Sequence, residues 1–278
     1  MGMKKVKKLV VGNWKMNPTS LEEGRKIVSV IKRAMKSIRR TDIVVCPPFV
    51  YLSPLSTSPK GSFYLGAQNA NSETAGPFTG EVGHLQLPQF KVKFVIVGHS
   101  ERRKMGETDE VVNKKVQSVV SLGMTAIICV GESLRDSSGD YFDFIKQQIQ
   151  KALKDVPKKS FGNIVIAYEP LWAIGAKSAM ELRDLHEMSI YIKKVLKDTY
   201  SIVGEDVRVI YGGAVDKVNA ESLIKDGNVS GVWHNYVSWK DVVVTLIQDE
   251  SKKLLSSDVK HVFPYLIHAN GMTLVDTA

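Results

Sequence analysis

Eight short apolar runs rich in β-branched residues punctuate the chain, at residues 9–12, 43–46, 63–66, 94–97, 126–129, 164–167, 207–211 and 231–233. Runs that are apolar along their whole length, instead of alternating, predict strands buried on both faces, as in a parallel sheet covered by helices. Longer amphipathic stretches separate them. Over 21–38, Ile27, Val30, Ile31 and Ala34 recur at i, i+3, i+4 and i+7, which places them on one side of a helix. Similar faces mark 109–121, 141–153, 180–197 and 220–225. Eight strand–helix alternations without a Pro/Ser/Gly-rich linker predict a single α/β domain, a closed (β/α)8 barrel, over residues 1–248. An open doubly wound sheet is the competing arrangement, but no G-x-G-x-x-G follows the first strand. After Ile247 the pattern stops. Residues 249–278 form a C-terminal extension, polar and rich in Lys and Ser at first and apolar over 262–266, to which the sequence assigns no role.

Composition narrows the class. With 44% hydrophobic and 24% charged residues, the chain reads as a soluble globular protein and not a disordered one. No run approaches the roughly 18 apolar residues of a membrane-spanning helix. The longest candidate, 262–275, is interrupted by His268 and Asn270. The basic start leads into an apolar run that ends at Gly12-Asn13, too short for an export signal, and Val6 stands where a myristoylation site requires Ser or Thr. Cys46 and Cys129 each sit inside an apolar run, so reduced, buried thiols and a cytoplasmic location are expected. Thirty-eight Lys+Arg against 29 Asp+Glu give a net charge of +9, compatible with nucleic acid, an acidic surface or small anionic ligands. The basic residues are spread along the chain without a zinc-finger, RRM or helix-turn-helix signature, so a small phosphorylated ligand is preferred to nucleic acid.

In a parallel barrel the chemistry collects where strands end. The first strand is followed by Asn13-Trp14-Lys15-Met16-Asn17, the fourth by Gly98-His99-Ser100-Glu101-Arg102-Arg103, and the sixth by Tyr168-Glu169-Pro170-Leu171-Trp172. An amide, an ammonium, an imidazole and a carboxylate thus converge on one mouth. That set suits proton transfer beside a carbonyl, with the carboxylate taking the proton, the imidazole polarising the oxygen and the cation steadying an enediolate. Taken singly, Glu169 reads as a capping or ion-pair partner, His99 as a structural histidine, Lys15 as a solvated charge and Glu101-Arg102-Arg103 as a surface cluster. Their joint placement carries the functional reading.

These motifs, with Ala173-Ile174-Gly175 after Trp172 and Tyr211-Gly212-Gly213 after the seventh strand, resemble the triosephosphate isomerase family over roughly residues 5–247. Supporting stretches are Ala67-Gln68-Asn69, Phe78-Thr79-Gly80-Glu81, Gly106-Glu107-Thr108-Asp109-Glu110 and Cys129-Val130-Gly131-Glu132. The resemblance implies a TIM barrel that interconverts dihydroxyacetone phosphate and glyceraldehyde 3-phosphate without metal or organic cofactor, in glycolysis and gluconeogenesis. It implies Glu169 as the base, His99 as the neutral electrophile, Lys15 and Asn13 as holders of the substrate oxygens, and Glu101 as support for Lys15. The substrate would be bound by Gly175, Lys177, Gly213, Ala214, Asn235 and Tyr236. A lid whose first half runs from Pro170 to Lys177 would close over it and exclude water. A homodimer is implied through the 68–81 loop, bounded by Gln68 and Glu81, which would insert Thr79 beside the neighbour's Asn13 and Lys15.

Several positions depart from the family pattern. Gly175 is followed by Ala176-Lys177-Ser178 in place of Thr-Gly-Lys, and the stretch to His186 is about three residues short. Ala214 replaces a serine, and Gly106 comes about one residue early. The eighth strand leads into His234-Asn235-Tyr236-Val237-Ser238 where the family has Val-Gly-Gly-Ala-Ser, so two glycines able to approach a phosphate closely are missing. The competing expectations are therefore an isomerase for another small carbonyl substrate, or a barrel that has lost catalysis because its phosphate cradle is degraded.

Overall fold

A computed structural model describes residues 7–35, 40–56, 63–174, 180–202, 207–216 and 218–235. Its strands are β1 (Lys8–Asn13), β2 (Thr41–Cys46), β3 (Tyr64–Ala67), β4 (Val92–Val97), β5 (Thr125–Val130), β6 (Ile164–Tyr168), β7 (Arg208–Tyr211) and β8 (Gly231–Asn235). They pair in chain order, all parallel, and β8 pairs back onto β1 to close the barrel. Helices α1 (Leu21–Met35), α2 (Leu52–Leu55), α3 (Ser100–Lys104), α4 (Asp109–Ser121), α5 (Asp140–Ala152), α6 (Leu182–Tyr200) and α7 (Ala220–Asp226) lie between the strands.

Strand periodicity explains the uninterrupted apolar runs. Leu9, Val11, Val44, Cys46, Phe94, Ile96, Ile127, Cys129, Val165, Ala167, Ile210 and Trp233 fill the barrel interior. The residues between them, such as Val10, Ile43, Val45, Val95, Ile128 and Ile166, face outward against the helices. Both faces are buried, each large aliphatic side chain contributing roughly 1.5–3 kcal/mol relative to exposure.

Helix ends carry matching charges. α1 has Glu22 and Glu23 in its first turn and Lys32 and Arg33 in its last, each complementing the helix dipole. The Thr108 hydroxyl caps α4 by accepting from the Val111 N–H at 3.4 Å. Two expectations shift. The inner face of α1 is Ile27, Val28 and Ile31, with Val30 only partly covered, so the helix is rolled from the phase that Val30 suggested. α6 runs past Lys197 to Tyr200 and stops where Ser201 adopts a left-handed φ of 57°. The extension 249–278 lies outside the described residues.

Candidate active site

The mouth at the C-terminal strand ends begins with a strained residue. Asn13 closes β1, and the chain then turns through Lys15, whose φ is 52°. The Lys15 N–H donates to Asn13 Oδ1 at 3.0 Å, while the Gln68 side-chain amide donates to the Lys15 and Cys46 carbonyls at 2.8 and 2.9 Å. Local structure thus over-determines a conformation that lysine rarely adopts. Its ammonium projects across the mouth to Glu101 Oε1 at 2.5 Å.

His99 follows β4 through Gly98, whose φ of 71° makes the turn that sends the chain into α3. The Glu101 N–H donates to His99 Nδ1 at 3.2 Å, so the ring proton of the neutral imidazole belongs on Nε2. Nε2 stands 3.7 Å from Glu169 Oε1. Burial, aided by Lys15 and opposed by Glu101, lowers the imidazole to about 4, so it is neutral near pH 7. The other ring face stacks on Trp233, with centroids 5.7 Å apart and planes 18° apart.

A polar network holds this loop. Glu107 accepts from the Gly98 N–H at 3.3 Å, Arg102 Nε at 3.0 Å and Lys115 Nζ at 3.1 Å. Lys115 also donates to Asn69 Oδ1 at 2.8 Å. Arg103 donates to the Gly98 carbonyl at 2.8 Å and to Asp109 at 2.7 Å.

Glu169 comes straight off β6, its N–H bonded to the Val130 carbonyl at 2.8 Å. Its side chain is 3% exposed. Burial raises the carboxyl to about 8; Lys15, the Ser100 backbone and the Cys129 thiol pull the other way. Glu169 helps wall a cavity of about 500 Å³ shared with Gly98, Ser100, Cys129, Gly131 and Leu171. Two glycines make room for it. A Cβ at Gly131 would run into the Glu169 carbonyl, and one at Gly212 would stand 2.8 Å from Glu169 Cγ. Burial also pushes the Cys46 and Cys129 thiols up, which keeps both protonated.

Beyond Glu169, a 3-10 turn at Leu171–Ala173 is pinned to Glu132. Glu132 Oε1 accepts from Trp172 Nε1 at 2.9 Å, the Tyr168 hydroxyl at 2.8 Å and Arg135 Nε at 3.2 Å. Residues 175–179 lie outside the described residues, and on their far side the Met180 N–H donates to the Tyr211 hydroxyl at 3.2 Å. Among the described residues no His, Cys, Asp or Glu side chains gather as a metal-holding group, and no helix is long and apolar enough to cross a membrane.

Asn13, Lys15, His99, Glu101 and Glu169 therefore meet at one mouth, as the strand-end placement predicted. Of the phosphate set, Gly213 and Ala214 follow β7, with the Ala214 carbonyl accepting from the Asn219 side chain at 3.1 Å. Asn235 ends β8 opposite Asn13. Gly175, Lys177 and Tyr236 lie outside the described residues. Sequence reasoning gave Trp233 no role beyond its strand, and it treated Gln68 and Glu132 only as parts of motifs. The sole signal for Trp233 was an indole in an otherwise aliphatic strand.

A closed (β/α)8 barrel carrying a buried carboxylate, a neutral imidazole and an ammonium at its mouth defines a barrel enzyme built for acid–base chemistry. The sequence profile of the triosephosphate isomerase family matches residues 8–248. The triosephosphate isomerase of Idiomarina loihiensis is 37% identical over 229 residues, covering 80% of this chain and 89% of that protein. Those of Endomicrobium trichonymphae and Natranaerobius thermophilus are 39% and 38% identical, covering 81% and 80% of this chain and 91% and 88% of theirs. The chain belongs to the triosephosphate isomerase family.

Proposed function

We propose that the protein interconverts dihydroxyacetone phosphate and glyceraldehyde 3-phosphate through an enediolate. Glu169 removes a proton from the carbon beside the carbonyl and returns it to the neighbouring carbon. His99, neutral and carrying its proton on Nε2, donates to the oxygen on which charge develops. Lys15 offsets that charge, Asn13 helps hold the substrate oxygens, and Glu101 fixes the Lys15 ammonium. The observation that carries this reading is the opposed electrostatics of two groups 3.7 Å apart, a carboxyl displaced upward and an imidazole displaced downward, both by burial. Burial thereby makes the carboxylate a stronger base and keeps the imidazole neutral.

Coupled-assay turnover of glyceraldehyde 3-phosphate by the wild type beside Glu169→Ala, with kcat and KM taken separately, tests it. Turnover no higher than that of the variant overturns it. High kcat with a raised KM would show intact proton transfer and a phosphate grip weakened at Ala214, Asn235 and Tyr236. Each lost hydrogen bond to the charged group is worth roughly 1.5–3 kcal/mol, or about ten- to a hundredfold in binding.

The reaction is assigned to glycolysis and gluconeogenesis in the cytoplasm, and the assembly to a homodimer. Support for the dimer is apolar surface on and near the 68–81 loop: Phe78 is 43% exposed, Leu85 44%, and Met16, whose neighbour Lys15 is bonded by Gln68, 90%. Phe78→Asp is expected to shift sedimentation to the monomer, and a monomeric wild type with full activity would contradict the dimer.

A further inference from the structure

The imidazole is held at one atom by a hydrogen bond and across one face by a ring. The Glu101 N–H anchors Nδ1, but a single bond leaves the ring free to rotate about it and so swing Nε2 sideways. Trp233 is 1% exposed and belongs to the interior layer with Val11, Cys129 and Ile210. Its backbone is fixed in register opposite Val11 of β1, and its indole lies nearly parallel to the His99 ring, 18° between planes. An aliphatic side chain could fill much of that volume, yet it would impose no plane. With both residues buried, no water competes for the covered face.

We propose that Trp233 is a positioning residue for His99: the indole sets the plane of the imidazole and so aims the Nε2 proton at the reacting oxygen. This rests on the isomerase reading above, in which His99 is the electrophile. Trp233 is buried, and it acts through the ring it stacks on.

Two measurements test it, and their failures are separable from failure of the isomerase reading. The chain has six histidines, few enough to assign the His99 ring by selective labelling and comparison with His99→Gln. In the wild type, His99 ring protons are expected to show nuclear Overhauser contacts to the indole and a ring-current displacement that Trp233→Phe keeps in part and Trp233→Leu abolishes. Absence of these contacts in the wild type overturns the proposal whatever the variants do and whatever the enzyme turns over.

In the kinetic arm, Trp233→Leu is expected to lose about ten- to a hundredfold in kcat with KM within about twofold, the signature of a misplaced catalytic group. Trp233→Phe, which restores a plane, is expected to recover kcat to within about threefold of wild type. Equal losses in both variants would mean that Trp233 acts by volume alone, and unchanged kcat in both would mean that the stack is idle; either result refutes the proposal. Should Trp233→Leu not fold, Trp233→Met takes its place beside Trp233→Phe. No turnover by the wild type would defeat the isomerase reading and leave the resonance arm to decide whether the indole holds the ring.

Discussion

Replacing Gly212 by alanine puts a methyl group into the space through which the Glu169 side chain passes. The new Cβ would stand 2.8 Å from Glu169 Cγ and 3.3 Å from Oε1. Ordinary carbon–carbon contact begins near 3.5–4.0 Å, so Cγ must retreat by roughly 0.7–1.2 Å. The backbone has little reason to move instead, since Glu169 is fixed to Val130 on one side and the Gly212 N–H is bonded to the Tyr168 carbonyl at 2.8 Å on the other. A displacement of about 1 Å in a catalytic group costs on the order of a hundredfold in rate, so kcat should fall by about that factor with KM within about threefold. Overpacking should cost about 1–3 kcal/mol, read from a urea melt. Gly162→Ala is the control, because a Cβ there meets nothing within 4 Å. Coupled-assay kinetics on the three proteins decide the matter. A folded Gly212→Ala enzyme with kcat within twofold of wild type would refute the reasoning.

Other expectations follow from burial and charge. Glu169 releases its proton near 4.5 when unfolded and only at about 8 when folded, so the folded state binds more protons between those values. The Glu169 contribution to stability is then fully present below pH 4.5 and is lost as pH rises through about 8; Glu169→Gln should flatten that decline in urea melts, and parallel curves would contradict it. His99 has the opposite sign. The unfolded chain protonates near 6.5 and the folded one only at about 4, so stability is lost as pH falls through that window, and His99→Gln should remove this loss. Lys115→Met strips two partners from the Glu107–Asn69 network and should cost about 3 kcal/mol, partly recovered in the double variant with Glu107→Gln. An unchanged denaturation midpoint would show that the buried ion pair is idle.

All eight strands were legible because a strand buried on both faces must be apolar at consecutive positions, and that pattern survives without tertiary information. Helix phase was less legible. In α1 the apolar pairs Ile27-Val28 and Val30-Ile31 permit two phases, and the barrel wall selects the one with Val28 inside. The reacting residues could be found since parallel topology brings strand ends together, whatever fills the loops. Trp233 could not. An indole in an apolar strand reads as core, and only barrel closure brings β8 near the histidine that follows β4. The ties from Trp172, Tyr168 and Arg135 to Glu132 link loops after β5 and β6, with no periodicity to announce them. Displaced protonation likewise depends on burial in the finished fold.

The seam between β1 and β8 has a consequence for biosynthesis. Leu9 lies opposite Gly231, so closely that a Cβ at Gly231 would collide with the Leu9 carbonyl. During translation β1 emerges first and can pair with β2, while its other edge waits for more than two hundred further residues to leave the ribosome. Throughout that interval the nascent chain presents an open parallel edge, the kind of surface that recruits foreign strands. The last strand thus ends the period of greatest exposure to aggregation. A side chain at Gly231 would jeopardise yield in the cell through that unfinished edge as well as through the packing of the completed barrel.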